Sequence, residues 1–494
     1  MLTGIQLCCV NVRQRWVFAA MCFLGLFHAY AMRACLSIVM TKMVPPIESD
    51  VTLDDSCPST TAEIHSSTNT TLSSEELYNW SEFQIQGLIL SSFYWGYVVT
   101  HLPGATIAEK YGGKHTYGLG IFLTAIFTLL TPLSITWGNS TGLIVTRILM
   151  GLGEGVTYPA INVLLSQWIP PDEKSRISTF VYAGQLLGTI YANSVSGIIL
   201  QHSDDWSSVF YLIGGTSAIW YILWLALCYN NPREHPFISK FERDYLSQQL
   251  SEHTHKKPPP TPWKHVLKSK PLWAAIIAML GFNWSLLTIV TDLPKYLSSV
   301  LKFSVENNGY VNSLIYLCMW IGSFITSWAA DYVIAIKLLS TTSVRKIGSV
   351  LALSSSATFV IVASYIGCDQ VLVIVMFAVA MSLMGSSYPS VMVNTLDLSP
   401  NYSGTLMALS NGISAGITGI LSPYIIGVIT PNQTLSEWRL VFWILFTVSV
   451  AANLIFVMFG NGEVEYWNEP DFALKDKSKK DNGSRSAHSA DNTA

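Results

Sequence analysis

The chain has 494 residues, 50% of them hydrophobic and 12% charged, with a mean hydropathy of +0.39 and a formal net charge of −3. Soluble domains carry about one charged residue in four, so this composition excludes an ordinary water-soluble globular protein. The charge balance supplies no large basic field, and no nucleic-acid partner is expected.

Apolar runs long enough to cross a hydrocarbon core, about 20 residues each, fall at 16–40, 82–104, 116–136, 141–166, 178–200, 208–229, 271–297, 308–330, 347–367, 371–396, 404–429 and 438–460. Twelve spans are expected, and the first is long enough to be a span rather than the apolar core of a cleaved leader. Lys and Arg are retained on the cytoplasmic side. They crowd the segments that share a side with the N-terminus, while the opposite segments hold only Lys42 and Lys302. Both termini are therefore expected in the cytoplasm. The long loop 41–81 is then external, and its sequons at Asn69 (NTT) and Asn79 (NWS) are the expected glycosylation sites. Asn432 is external as well; Asn139 lies too near the bilayer, and Asn401 and Asn482 fall on the wrong side.

The cysteines show no metal-ligand spacing. Cys22, Cys35, Cys228 and Cys318 lie within or at the edges of spans and read as apolar filler. Cys57 and Cys368 share the external side, which leaves a disulfide between them open; Cys8 and Cys9 read as plain thiols, with palmitoylation as the alternative.

The chain is also a sequence repeated. Residues 1–229 and 271–460 each hold six spans, joined by a polar, basic linker over 230–270 with the run HKKPPPTP and followed by a tail, 461–494, expected to be disordered. IAEKYG (107–112) matches AADYV (329–333), pairing Glu109 with Asp331. Gly184 and Gly188 match Gly412 and Gly416, GVTYPA (155–160) matches GSSYPS (385–390), and DWSSVF (205–210) matches EWRLVF (437–442). Four matches in the same chain order, at nearly constant offsets of 222 to 232 residues, mark an internal repeat. Six is even, so both halves enter the membrane in one orientation, as in transporters built from parallel repeats with a midplane site between them. The expected fold is all-α, a major facilitator arrangement whose spans 1, 4, 7 and 10 line a cavity.

Charges inside spans are costly, at least about 2.5–3.5 kcal/mol each at mid-bilayer, and normally face a cavity or a partner. Arg33 falls in span 1, and Arg147 and Glu154 in span 4; spans 7 and 10 add Asn283, Thr288, Tyr388 and Asn394. Arg147 and Glu154 share a helix face but stand about 10 Å apart along it, too far for a direct pair. Arginine suits an anion, because its planar fork stays charged. A partly desolvated glutamate suits proton transfer. Each of the three also has a structural reading, for example Glu154 neutralised by Arg33. The glycines of GLGEG let neighbouring helices approach; the run lacks the GK[ST] and the preceding strand of a phosphate loop. Tyr158 and Tyr388, each before a matched proline, either line the cavity or pack between helices. His28 and His101 are single histidines, and no metal site is suggested.

With these residues in place, GLGEGVTYPA, SQWIPPDEKSRIS, YAGQLLGT, YAMRACLS, GFNWSLLTIVTDLPKYL and IGCD resemble the anion:cation symporter family of the major facilitator superfamily. That group holds sialin, the vesicular glutamate transporters and the sodium/phosphate cotransporters. The resemblance runs from about Arg15 to Trp467 and is nearest to the sialin-like and insect phosphate cotransporter branches. It implies that Arg33, with Tyr30 one turn earlier, recognises the anion. It also implies that Arg147 and Glu154 are the family's span 4 arginine and coupling glutamate, and that Ser410 and Asn411 meet a substrate carboxylate. ATIAEKYGGK is similar to the family's gating loop, which makes Glu109, Lys110, Lys114 and Asp331 gating residues. Met150 stands where sialin has a second glutamate, and Phe282 stands where glutamate loaders have an arginine before the tryptophan of span 7. The acidic dileucine signal of sialin is also missing, so no lysosomal address is implied.

The expected activity is symport of a small anion, an organic acid such as a sialate or inorganic phosphate, with H+ or Na+. The protein is expected to be a monomer in lipid, in the plasma membrane or an endolysosomal or vesicular membrane, without a cofactor beyond the coupling ion. An anion channel or receptor on the same scaffold is the rival reading; it would tolerate loss of Glu154. An intramembrane enzyme lacks a nucleophile–base pair in the spans.

Overall fold

The computed structural model describes residues 13–43, 83–203, 205–250, 261–301, 305–367, 369–430 and 434–469. Asn69, Asn79, Asn432, Asn482, Cys8, Cys9, Cys57 and Cys368 lie outside the described residues. Among the described residues the regular structure is helical throughout.

Nine stretches among them are long and apolar enough to cross a membrane. One of these, Gly113–Trp168, is 56 residues long and holds two spans; the chain reverses at Asn139 (φ 50°, ψ −140°). Spans 2 and 5, each a 29-residue helix, complete the twelve. Span 1 is Gln14–Met43, span 2 Phe83–Tyr111, and spans 3 and 4 share Gly113–Glu154, with Thr157–Trp168 finishing span 4. Spans 5 and 6 are Lys174–His202 and Ser207–Leu227, and spans 7 and 8 are Lys270–Ser299 and Val305–Ala335. Span 9 runs from Thr341 to Tyr365 and span 10 from Gln370 to Leu398; Ser403–Ile429 and Leu435–Phe459 are spans 11 and 12.

Spans 4 and 10 break at matched places. The helix ends at Glu154 and resumes at Thr157; in span 10 it ends at Met384 and passes through a wider turn over Tyr388–Met392. Pro159 and Pro389 lack the N–H that would bond to the carbonyls of Gly155 and Gly385, so each span loosens one turn before its proline. The glycines ahead of the first break serve contact. A Cβ on Gly151 or Gly155 would lie 2.0 or 2.3 Å from the carbonyl oxygens of Phe93 and Tyr97, so span 4 meets span 2 backbone to backbone.

Both described ends of the chain and the linker gather at one end of the bundle. The linker helix Lys240–Leu250 docks there: Glu242 accepts from the backbone N–H groups of Gln14 (2.8 Å) and Arg15 (3.3 Å), capping the start of span 1. The tail departs from the expected disorder over its first residues. Trp467 is fully buried among Val266, Leu272, Ile276, Leu398, Tyr402 and Leu406, and the Asn468 side-chain oxygen accepts from Ser399 Oγ (2.7 Å) and Asn401 N (3.1 Å). Burial of that large aromatic side chain and the hydrogen bonds to Asn468 work together against the freedom lost in ordering the strap.

Candidate functional site

Span 1 carries Arg33 into a ring of aromatic side chains. Its guanidinium carbon lies 4.8 Å from the Phe93 ring centre, 4.6 Å from Tyr94, 5.2 Å from Tyr30 and 5.8 Å from Tyr97. Arg33 also donates to Tyr94 Oη. Cation–π contact and a phenolic acceptor hold the fork without neutralising it. Glu154, the last residue before the break in span 4, is the acid it faces, with Arg33 Nη1 3.8 Å from Glu154 Oε1. That is a loose contact. The other carboxyl oxygen of Glu154 is buried without a hydrogen-bond partner.

Arg147 lies two turns from Glu154. Its Nη2 donates to the carbonyl of Arg33 (3.3 Å), and its guanidinium sits 5.4 Å from the Phe93 ring centre. It is 3% exposed against 17% for the Arg33 side chain, so Arg147 braces span 1 from within the packing while Arg33 is the less enclosed of the two. Two of the structural readings are thus present in the geometry, Glu154 facing Arg33 and Arg147 packed against span 1.

A chain of polar groups runs from span 1 to span 10. Tyr30 Oη lies 3.2 Å from Tyr158 Oη, Tyr158 donates to Gln185, and Gln185 donates to Tyr388 Oη. The two tyrosines before the matched prolines thus meet across the halves through one span 5 glutamine. From span 11, Asn411 donates to Tyr97 Oη (2.9 Å) and lies 3.2 Å from His101 Nε2. Asn283 of span 7 donates to Ser414 Oγ (2.8 Å), and the buried hydroxyl of Ser410 has no hydrogen-bond partner. Asn394 is set apart from this group: it donates to the carbonyl of Asn461 (2.7 Å) and holds the tail strap.

The expected gating acids lie at the terminus-bearing end, and each caps a helix of the opposite half. Glu109, ending span 2, accepts from Thr405 N (2.7 Å) and Thr405 Oγ1 (2.9 Å) in the first turn of span 11. Asp331, ending span 8, accepts from Ser175 N (3.1 Å) and Arg176 N (2.7 Å) in the first turn of span 5. A carboxylate there meets free N–H groups and the positive end of a helix. Lys110 and Lys114 take no part in these caps. Lys114 donates to the carbonyl of Leu225 (2.9 Å) within its own half, and Lys110 lies 5.2 Å from the ring centre of its neighbour Tyr111.

Sequence reasoning passed over Phe93, Tyr94 and Tyr97, although three- and four-residue spacing puts Phe93 and Tyr97 on one helix face. It quoted Gln185 only inside a motif. It also missed a third latch, in which buried Arg345 binds Asp397 (2.7 Å), Ser175 Oγ (2.9 Å) and the carbonyl of Pro389 (2.6 Å), while Lys174 reaches Asp397 at 3.0 Å. The signal for it was an acid and an arginine at span ends, which hydropathy alone does not pair.

The sequence profile of the Major Facilitator Superfamily matches residues 22–423. Sialin from Homo sapiens is 37% identical over 458 residues, covering 92% of this chain and 90% of that protein. A Drosophila melanogaster protein named "Putative inorganic phosphate cotransporter" is 35% identical over 466 residues, covering 92% and 87%. Among solved structures, the proton:xylose symporter XylE bound to 6-bromo-6-deoxy-D-glucose superposes with a TM-score of 0.66 over 91% of this chain and 97% of that one. At 12% identity that likeness carries the fold alone.

Proposed function

The chain belongs to the anion:cation symporter family of the major facilitator superfamily, and from that premise we propose that it is a secondary active transporter carrying a small anion together with a cation by alternating access. The observation that carries the coupled reading is the pairing of Arg33 with Glu154: a guanidinium held by aromatic rings, 3.8 Å from a carboxyl whose second oxygen is buried and unpartnered. A free anion and Glu154 compete for the same fork. When the anion takes Arg33, the carboxylate is left buried without its counter-charge, and a proton on the open oxygen removes that penalty. Anion and proton therefore bind together. Proton coupling is the reading this carboxyl supports, with sodium as the alternative.

The surroundings of Arg33 favour an organic monoanion, such as an acidic sugar, over phosphate. One reachable guanidinium matches one carboxylate, and tyrosine rings with the neutral donors Asn283, Ser410 and Asn411 suit a body bearing hydroxyls. Human sialin by its name supports that class, and the name of the Drosophila relative supports phosphate as the second reading. Glu109, Asp331 and the Arg345–Asp397–Lys174 cluster form the gate on the cytoplasmic side, where the charge rule places both termini. We place the protein as a lipid-embedded monomer in the plasma membrane or an endolysosomal or vesicular membrane, with no cofactor and with glycans at Asn69 and Asn79.

Uptake of labelled sialate and phosphate into proteoliposomes, under a proton gradient and then a sodium gradient, tests this. Proton-driven sialate uptake is expected. Sodium-driven phosphate uptake would replace both the substrate and the role given to Glu154, and ungated, gradient-independent flux would favour a channel.

A further inference from the structure

Span 2 meets span 11 of the other half along a seam of glycines. A Cβ on Gly412 would lie 3.2–3.3 Å from three atoms of His101, one on Gly416 would lie 2.7 Å from Val98, and one on Gly419 would lie 2.6 Å from Tyr94. His101 is almost wholly buried in this seam and takes no part in the chain of groups around Glu154. Its partners define its hydrogen. Nδ1 lies 3.2 Å from the carbonyl oxygen of Tyr97, which only accepts, so Nδ1 carries the proton. Nε2 lies 3.2 Å from Asn411 Nδ2, which only donates, so Nε2 presents its lone pair.

The closed seam therefore holds a neutral imidazole. Tyr97, its ring tilted 53° to the imidazole at 4.4 Å between centres, is the titratable group against it. Span 11 presents Asn411 and Gly412, and span 4 presents Gly155 and Val156 to this stretch of span 2. Among the described residues no ion pair reaches His101. A second proton would turn a donor toward the Asn411 amide and leave a cation at membrane depth with no carboxylate beside it.

We infer that His101 is a second proton-responsive group, separate from Glu154, which reads whether the seam between spans 2 and 11 is closed. When the halves part at the cytoplasmic end, Asn411 and Gly412 withdraw and water reaches Nε2, so the parted state binds the proton better and acid populates that state. Tyr97 links this element to the site, because its hydroxyl accepts from Asn411 while its ring lies 5.8 Å from the Arg33 guanidinium carbon. An anion that draws Arg33 away from its aromatic ring thereby alters the partner of Asn411. The inference rests on the alternating-access reading but not on the identity of the anion.

The test reads opening without substrate. Spin labels on Tyr111→Cys and Leu338→Cys, exposed positions on opposite halves, report separation by electron–electron resonance in the full-length, otherwise cysteine-free protein in nanodiscs. Between pH of about 7.5 and about 5 the ratio of parted to closed molecules should rise roughly threefold or more, as when one group's proton affinity differs by half a unit between states. His101→Gln, which keeps an acceptor for Asn411, should flatten that response. Asn411→Asp, which offers the imidazolium a carboxylate, should reverse its sign, so the inference stays testable if one variant folds poorly. A flat response in the unmodified protein, an undiminished one in His101→Gln, or a response lost in Glu154→Gln overturns it. Failure of anion uptake with the His101-dependent opening intact would instead count against the transport reading alone.

Discussion

The two halves are alike at the gate and unlike at the midplane. At the terminus-bearing end, Glu109 caps span 11 and Asp331 caps span 5, so each half holds the other through an acid ending a matched span. At the midplane, Arg33, Arg147 and Glu154 all belong to the first half, and among the described residues the second contributes neutral groups such as Tyr388, Ser410 and Asn411. Duplication preserves what has to act in both halves, the ends that separate and rejoin. Chemistry needs one charged centre, and a second set of buried cations would add the cost of desolvating each one again.

If that division is right, the largest effects come from the unpaired half of the comparison. Arg33→Ala leaves Glu154 buried without its counter-charge and the anion without a fork. Truncating one partner of such a pair costs about 2–5 kcal/mol, so saturable uptake should fall by roughly 30-fold or more with surface abundance unchanged. Uptake within a few-fold of the parent would remove Arg33 from the site. Glu154→Gln should come next: it mimics the protonated carboxyl, so anion exchange should persist while uptake driven by a proton gradient is lost and its pH profile flattens. An unchanged profile would assign the coupling elsewhere.

The sequence carries unequal parts of this picture. Span number, the repeat and the intramembrane charges are legible because each follows from a local cost, the price of polar groups in hydrocarbon. The pairing of Glu109 with Asp331 is legible from the repeat. That they cap opposite helices is not, because a backbone N–H has no letter in the sequence. Gln185 joins Tyr158 to Tyr388 over about 230 residues of chain, a meeting fixed by the packing of spans 4, 5 and 10 rather than by any spacing. The Trp467 strap was concealed by composition, since one tryptophan in a polar tail does not alter a window average.

Effects at the gate should be smaller and, for the two caps, similar. A helix cap contributes about 0.5–2 kcal/mol, so Glu109→Gln and Asp331→Asn should each shift the closed-to-parted ratio by roughly 2- to 30-fold, read by the same spin-label pair. Asp331 also faces Arg176 at 3.8 Å, so its loss should be the greater. A large effect from one and none from the other would break the symmetry claimed for this end.

The smallest effect should come from a residue the gating loop itself would nominate. Lys114 begins span 3 much as Arg345 begins span 9, yet their contacts differ. Arg345 crosses to Ser175 of the other half; Lys114 reaches Leu225 and lies 4.5 Å from the Tyr229 ring centre, both within its own half. Lys114→Ala should therefore leave the closed-to-parted ratio within about twofold, because an exposed cationic contact contributes at most about 1 kcal/mol and this one is made equally in both states. Arg345→Ala should move that ratio at least as far as either cap, since it leaves Asp397 buried with Lys174 as its remaining ion-pair partner. Equal shifts in the two variants would mean that Lys114 exchanges partners as the halves part, and that the gate is more symmetric than its closed state displays.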